Sequence, residues 1–325
     1  ILRHNASPPA RFGLGSGPGY GRDSRCNPVA ASPFSYRWAP AQLKHFPSYF
    51  PIHWMGSRMG SMIDEPFGIA VPSTPLSDSP LAFVVAQVRF PLVVSIADEA
   101  FIGPFQELIR ATYGDLRREE EAQVLLGPDG VRTVKGGVVW RFSDEPSGWE
   151  VALAPEFLAL ATSRYTDRGD FLARLKQIVE ALETWLRPSR ARRLGVRYID
   201  RVQKPEHLAR LRDLVRPEVL GPFGVARAET VELSNSLTEV NYSFSDHSAL
   251  KARWGYLEPR TTFDPAIAPV DDASWVLDLD ASHGEREFDS AAIVDQVQLF
   301  SDRIYRYFRW AVTDDFLTSH GATAL

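Results

Sequence analysis

The stretch ARRLGVRYIDRV, residues 191–202, decides the reading of this chain. Leu194, Val196, Tyr198, Asp200 and Val202 alternate with Arg193, Gly195, Arg197, Ile199 and Arg201, so a strand over 192–202 carries a largely apolar face and an arginine-lined one. Residues 81–90 have the same character: Ala82, Val84, Ala86, Val88 and Phe90 alternate with Phe83, Val85, Gln87 and Arg89. Val88-Arg89-Phe90 recurs as Val196-Arg197-Tyr198, and Trp140-Arg141-Phe142-Ser143-Asp144 recurs as Tyr242-Ser243-Phe244-Ser245-Asp246. Two echoes in the same order predict an internal duplication.

Outward from these strands, each half follows one pattern. A helix is expected over 98–113, with Asp98 as N-cap, Phe101, Phe105, Leu108 and Ile109 buried, and Pro104 delaying its start. Strands follow near 122–126, 138–143, 149–153 and 157–163, separated by turn residues such as Gly127-Pro128-Asp129-Gly130. An amphipathic helix over 170–187, capped by Asp170 and stopped by Pro188, closes the half. The second half repeats the order: a helix from Pro205 with Leu208, Leu211 and Leu214 on one face, then strands at 226–233, 237–245, 249–257 and 275–279. A long helix from Asp289 carries Ile293, Val297, Phe300, Ile304 and Phe308, and a last piece follows Thr313. The expected fold class is α+β: duplicated β-α-ββββ-α repeats, residues 62–189 and 190–325, forming one curved antiparallel sheet with helices on one face.

This topology resembles the TATA-binding-protein-like group, a likeness that bears on fold and leaves function open. Over most of residues 76–310 the chain also resembles a family of uncharacterised, sporadically distributed bacterial proteins of about 250 residues. The likeness is carried by Pro80, Val88-Arg89-Phe90, Trp140-x-Phe142, residues 149–153, Leu158-x-Leu160-x-Thr162-x-x-Tyr165 and, above all, residues 193–201 with their RxGxRYxxR pattern. The family's usual pattern has Asn where this chain has Asp200. The resemblance implies no activity, cofactor or substrate.

Composition bounds the rest. With 44% hydrophobic and 24% charged residues the chain can build a sizeable core. Its longest apolar stretches fall well short of the roughly 20 residues a membrane helix needs, so no membrane association is expected. One cysteine, Cys26, excludes internal disulfides and cysteine zinc frameworks, and a reducing cytoplasm is the expected compartment. Residues 1–61 hold eight Pro, seven Gly and seven Arg or Lys against one acid, with no sustained period. They are expected to be disordered or non-native, with Met62 as the true start; a basic arm for nucleic acid or membrane is the rival reading.

The candidate ligand-binding residues are Arg193, Arg197 and Arg201, with Arg89 joining them from the first half. Guanidinium groups this close need anions, either internal carboxylates such as Glu150, Glu239, Asp278 or Asp280, or a ligand phosphate or carboxylate. Asp278 and Asp280 share a strand face at a spacing that suits a divalent cation or an acid and base, although any half-buried strand alternates in this way. His207, His247, His283 and His320 lack metal-ligand spacing, and no P-loop, GxSxG or kinase signature occurs. No catalytic residue, metal or cofactor is therefore nominated. Trp140, Phe142, Trp149, Tyr242, Phe244, Trp254 and Tyr256 are expected in the core, with base stacking as the alternative.

Three functions remain in view. The leading one is a non-enzymatic protein that holds nucleic acid or another anionic ligand on the arginine face, against which stand the 40 acidic and 29 basic residues outside the first 61. The others are an enzyme acting on a phosphorylated or carboxylated small molecule, and an interaction module with a protein partner in a bacterial defence or toxin-neutralising system. Homo-oligomers fit any of them.

Overall fold

Two strands from distant parts of the chain pair at the centre of the sheet. In this computed structural model, which describes residues 65–68, 72–127, 130–264 and 267–322, β1 (Leu81–Arg89) lies antiparallel to β7 (Arg193–Val202). Outward from β1 come β5 (Phe157–Thr162), β4 (Trp149–Ala154), β3 (Gly130–Asp144) and β2 (Asp115–Gly127). Outward from β7 come β10 (Ser274–His283), β9 (Ser248–Leu257) and β8 (Thr238–Ser243). The result is an open, nine-stranded antiparallel sheet. The two halves read alike from the centre: in each, the last strand before the closing helix pairs with the first strand. Gln87 and Gly195, counterparts in the sequence echo, face each other across the central pair.

Alternation sends one set of side chains to the helices and the other away from them. The helix side holds the main core, built from Val84, Phe142, Leu160, Val196, Leu279 and their neighbours, against α1 (Glu99–Ile109), α2 (Arg168–Leu186) and α6 (Ser290–Ala311). The opposite face carries a second apolar cluster that includes Phe83, Val85, Ala159, Ile199 and Val276. A cap and a stripe explain each long helix. Asp289 accepts from Ala292 N at 2.7 Å, and Ile293, Val297, Phe300 and Ile304 are buried along α6. The last piece, α7 (Asp314–Ser319), starts where Thr313 caps it. Among the described residues, no helix is long and apolar enough to cross a membrane.

Several details depart from the sequence reading. Asp167, three residues earlier than expected, caps α2, and Asp170 supplies the N–H that it accepts. Pro104 lies inside α1 and does not delay its start at Glu99; Ile102 takes the buried position, while Leu108 is exposed. The helix expected from Pro205 is three short pieces, α3 (Pro205–Ala209), α4 (Leu211–Leu214) and α5 (Pro217–Leu220), with Val215 and Arg216 extended ahead of Pro217, which opens α5. β6 (Arg190–Ala191) and β11 (Arg286–Glu287) add a small ribbon.

The strand expected at 226–233 is irregular chain, so the second half sends three strands, β8, β9 and β10, into the nine-stranded sheet after its helices. Ala226, Ala228 and Val231 are exposed among polar neighbours, which leaves that segment no apolar face to bury. The echo of residues 140–144 at 242–246 runs from β3 to the end of β8, and β8 is the edge of the sheet, whereas β2 lies outside β3. The chain instead crosses β9 at Gly255, where an added Cβ would lie 1.8 Å from the Ser236 carbonyl oxygen. Residues 1–61 and Met62, together with the readings placed on them, lie outside the described residues.

Candidate functional site

The four nominated arginines share the face turned away from the helices, and Arg89 lies directly opposite Arg193. Carboxylates meet three of them. Arg197, 4% exposed, donates through Nε and Nη2 to both oxygens of Asp278 at 2.7 and 2.9 Å, and its Nη2 lies 2.9 Å from Asp264. Arg253, not anticipated from the sequence, reaches the same two acids at 2.6 and 2.7 Å. Arg193 lies 3.6 Å from Asp280, and Arg89 pairs with Glu156 at 2.5 Å. Of the other acids weighed as partners, Glu150 pairs with Arg141 and Glu239 with Lys251.

Asp264 arrives on the chain between β9 and β10, where Phe263 and Ile267 join the second apolar cluster. Arg201 differs from the rest. Its Nη1 donates to Ala268 O at 2.6 Å, whereas Nε and Nη2 are buried and have no hydrogen-bond partner among the described residues, and burial lowers its pKa. Asp278 and Asp280 do share a face; Asp278 is fully buried and contacts the guanidinium groups of Arg197 and Arg253, and burial pushes the Asp280 carboxyl up to about 7 against the pull of Arg193 and Arg197.

A cavity of about 520 Å³ opens on the other side of the sheet. Residues 72–80, just before β1, form a strap along α6: Tyr305 Oη accepts from Thr74 N at 2.8 Å and donates to Pro72 O at 3.1 Å. Ser77 N and Asp78 N donate to the carbonyls of Gly321 and His320, which ties the strap to the end of α7. Between strap, α2 and α6 the cavity is walled by Leu81, Ile304, Tyr305 and Phe308, and by the hydroxyls of Tyr165, Tyr198 and Ser301. Tyr198 donates to Ser301 Oγ at 3.2 Å and lies 3.3 Å from Tyr165 Oη. Burial raises the pKa of both tyrosines, so they remain hydroxyls.

Asp200 lies on the sheet floor of this cavity, only 7% exposed. None of the hydrogen bonds or ion pairs among the described residues involves its carboxylate. Burial, with a smaller push from Asp278, raises its pKa to about 7.

The chain matches no family model, and no curated protein or solved structure is similar to it.

Sequence reasoning placed Asp200 and Tyr198 on the largely apolar strand face and noted Asp200 as a departure from the resembled family's Asn, but nominated neither as a site residue. Alternation does place Asp200 beneath helices, and a carboxylate on an otherwise apolar face was the one available signal. The aromatic residues considered for base stacking pack toward the helices: Trp140 donates to Ile96 O at 2.6 Å, Trp149 stacks on Phe171, and Tyr242 and Phe244 meet Phe67. The histidines are less scattered than their spacing suggests, since the rings of His207 and His320 lie 4.4 Å apart. Burial lowers the His320 pKa, and the described residues contain no group of three or more metal-ligating side chains.

Proposed function

We propose that this chain is a small-molecule-binding protein whose ligand occupies the cavity between the strap, α2 and α6. One observation carries the reading: a buried carboxylate, Asp200, reaches the cavity and has no partner among the described residues. A lone carboxylate in an apolar setting is costly, and partners for such groups are the rule in folded proteins. A ligand donor supplies one here. The cavity volume also falls within the range of small-molecule sites, and its walls combine apolar side chains with a few convergent polar groups.

Ligand-observed NMR with a mixed set of aromatic amines, alcohols and carboxylates tests this. Some members are expected to bind wild type and to lose binding in Ile304→Trp, which fills the cavity from α6, and in Ser79→Trp, which blocks it from the exposed strap. Binding that survives both substitutions, or no binding at all, removes the cavity as a ligand site.

An anionic partner on the arginine face is a second reading, favoured by the two buried nitrogens of Arg201 that have no hydrogen-bond partner among the described residues. A fluorescent oligonucleotide and inorganic phosphate are the probes. Arg201→Ala is expected to weaken their binding severalfold, and equal affinity for wild type and variant rejects the reading.

A further inference from the structure

The charges around the cavity narrow the ligand class. Arg168 also lines it, but its guanidinium donates to Asp302 on α6. Asp167 is used as the cap of α2. Ser301 and the two tyrosines are engaged with one another. Asp200 is thus the one charged group of the lining with nothing opposite it among the described residues, and an ionised carboxylate accepts hydrogen bonds without donating any.

An anionic ligand would meet Asp200 and Asp167 as like charges. A neutral acceptor would find a donor only on the protonated fraction of Asp200, which shrinks above pH about 7. A cationic donor both neutralises the carboxylate and satisfies its lone pairs, and aromatic walls such as Tyr305 and Phe308 favour a cation carried on an apolar body.

We propose that the cavity selects a ligand bearing a protonated amine, whose N–H groups bind the Asp200 carboxylate while its apolar body lies against Ile304, Tyr305 and Phe308. The inference rests on the cavity being a ligand site and adds the chemistry that the site recognises. Binding of this kind requires ionised Asp200. Because burial raises that pKa to about 7 while an alkyl amine stays protonated to near 10, affinity falls as the pH drops below about 7. Arg168, Asp167 and Asp302 also face this region and are held in their own contacts.

The test is calorimetric titration of the full chain with phenethylamine, phenethyl alcohol and hydrocinnamate, three probes of one shape and different charge. Wild type is expected to bind the amine roughly 10- to 100-fold more tightly than the alcohol, and Asp200→Asn to reduce the amine to the level of the alcohol. The amine preference is expected to shrink between pH 8 and pH 5. Alcohol or hydrocinnamate binding as tightly as the amine, or an amine indifferent to Asp200→Asn, overturns the amine class and leaves the cavity as a site for something else. Silence from all three probes at millimolar concentration overturns the amine class too, and the wider NMR screen then decides the cavity independently. Amine binding that persists in Ile304→Trp and Ser79→Trp overturns both readings.

Discussion

Replacing Asp278 with Ala is expected to cost about 3–5 kcal/mol of folding stability. Its side chain is wholly buried and accepts from Arg197 and Arg253 together, with the nearest nitrogens at 2.6 to 2.9 Å. Removing it takes from two largely buried guanidinium groups the acid they share most closely, with Asp264 a further contact of both. A buried ion pair adds little net stability compared with apolar side chains of the same shape, yet a broken one strands a charge. Arg197→Met combined with Asp278→Leu should therefore be milder than Asp278→Ala alone, despite changing more atoms. Urea denaturation of the three proteins measures this. A loss below about 1 kcal/mol for Asp278→Ala would mean that water, rather than the lattice, satisfies these arginines.

Asp200→Asn is expected to act in the opposite direction and stabilise the ligand-free protein by about 4 kcal/mol at pH 7 and above. The folded-state pKa is about 7, against an unfolded value near 3.9, so the folded protein binds the proton more tightly. This carboxyl contributes its full stabilisation below pH about 4. That contribution falls as the pH rises and is gone once the pH passes about 7, leaving an ionised carboxylate with no partner among the described residues. Asparagine fills nearly the same volume without ionising, so the variant should lack this part of the pH dependence. Urea titrations of both proteins at pH 5 and pH 8 decide the matter. Equal stabilities at pH 8 would show that the wild-type carboxylate is hydrated or paired. A gain in stability accompanied by loss of amine binding would mark Asp200 as a group kept for its ligand at the expense of the fold.

The arginine face and the cavity show how far sequence reasoning reaches. The strands at 81–90 and 192–202 and the helices that became α2 and α6 were legible. Each buries a continuous stripe whose period is written in the chain. The same alternation put Arg193, Arg197 and Arg201 on one face and Asp200 on the other, and the structure keeps them there. The strand at 226–233 failed because its apolar residues Ala226, Ala228 and Val231 are exposed, whereas even the edge strand β8 packs Val240 and Tyr242 against the core.

By itself, then, the sequence determined the α+β class, the main elements and the side of the sheet on which each charged residue emerges. Only the tertiary structure decided what those residues meet. Asp264 reaches Arg197 from 67 positions away, and the strap reaches Tyr305 from more than 200. Period fixes the direction of a side chain relative to its own strand. Whether it then finds a counter-charge depends on which loops and helices cross that strand, and these long-range closures paired Arg197 and left Asp200 facing the cavity.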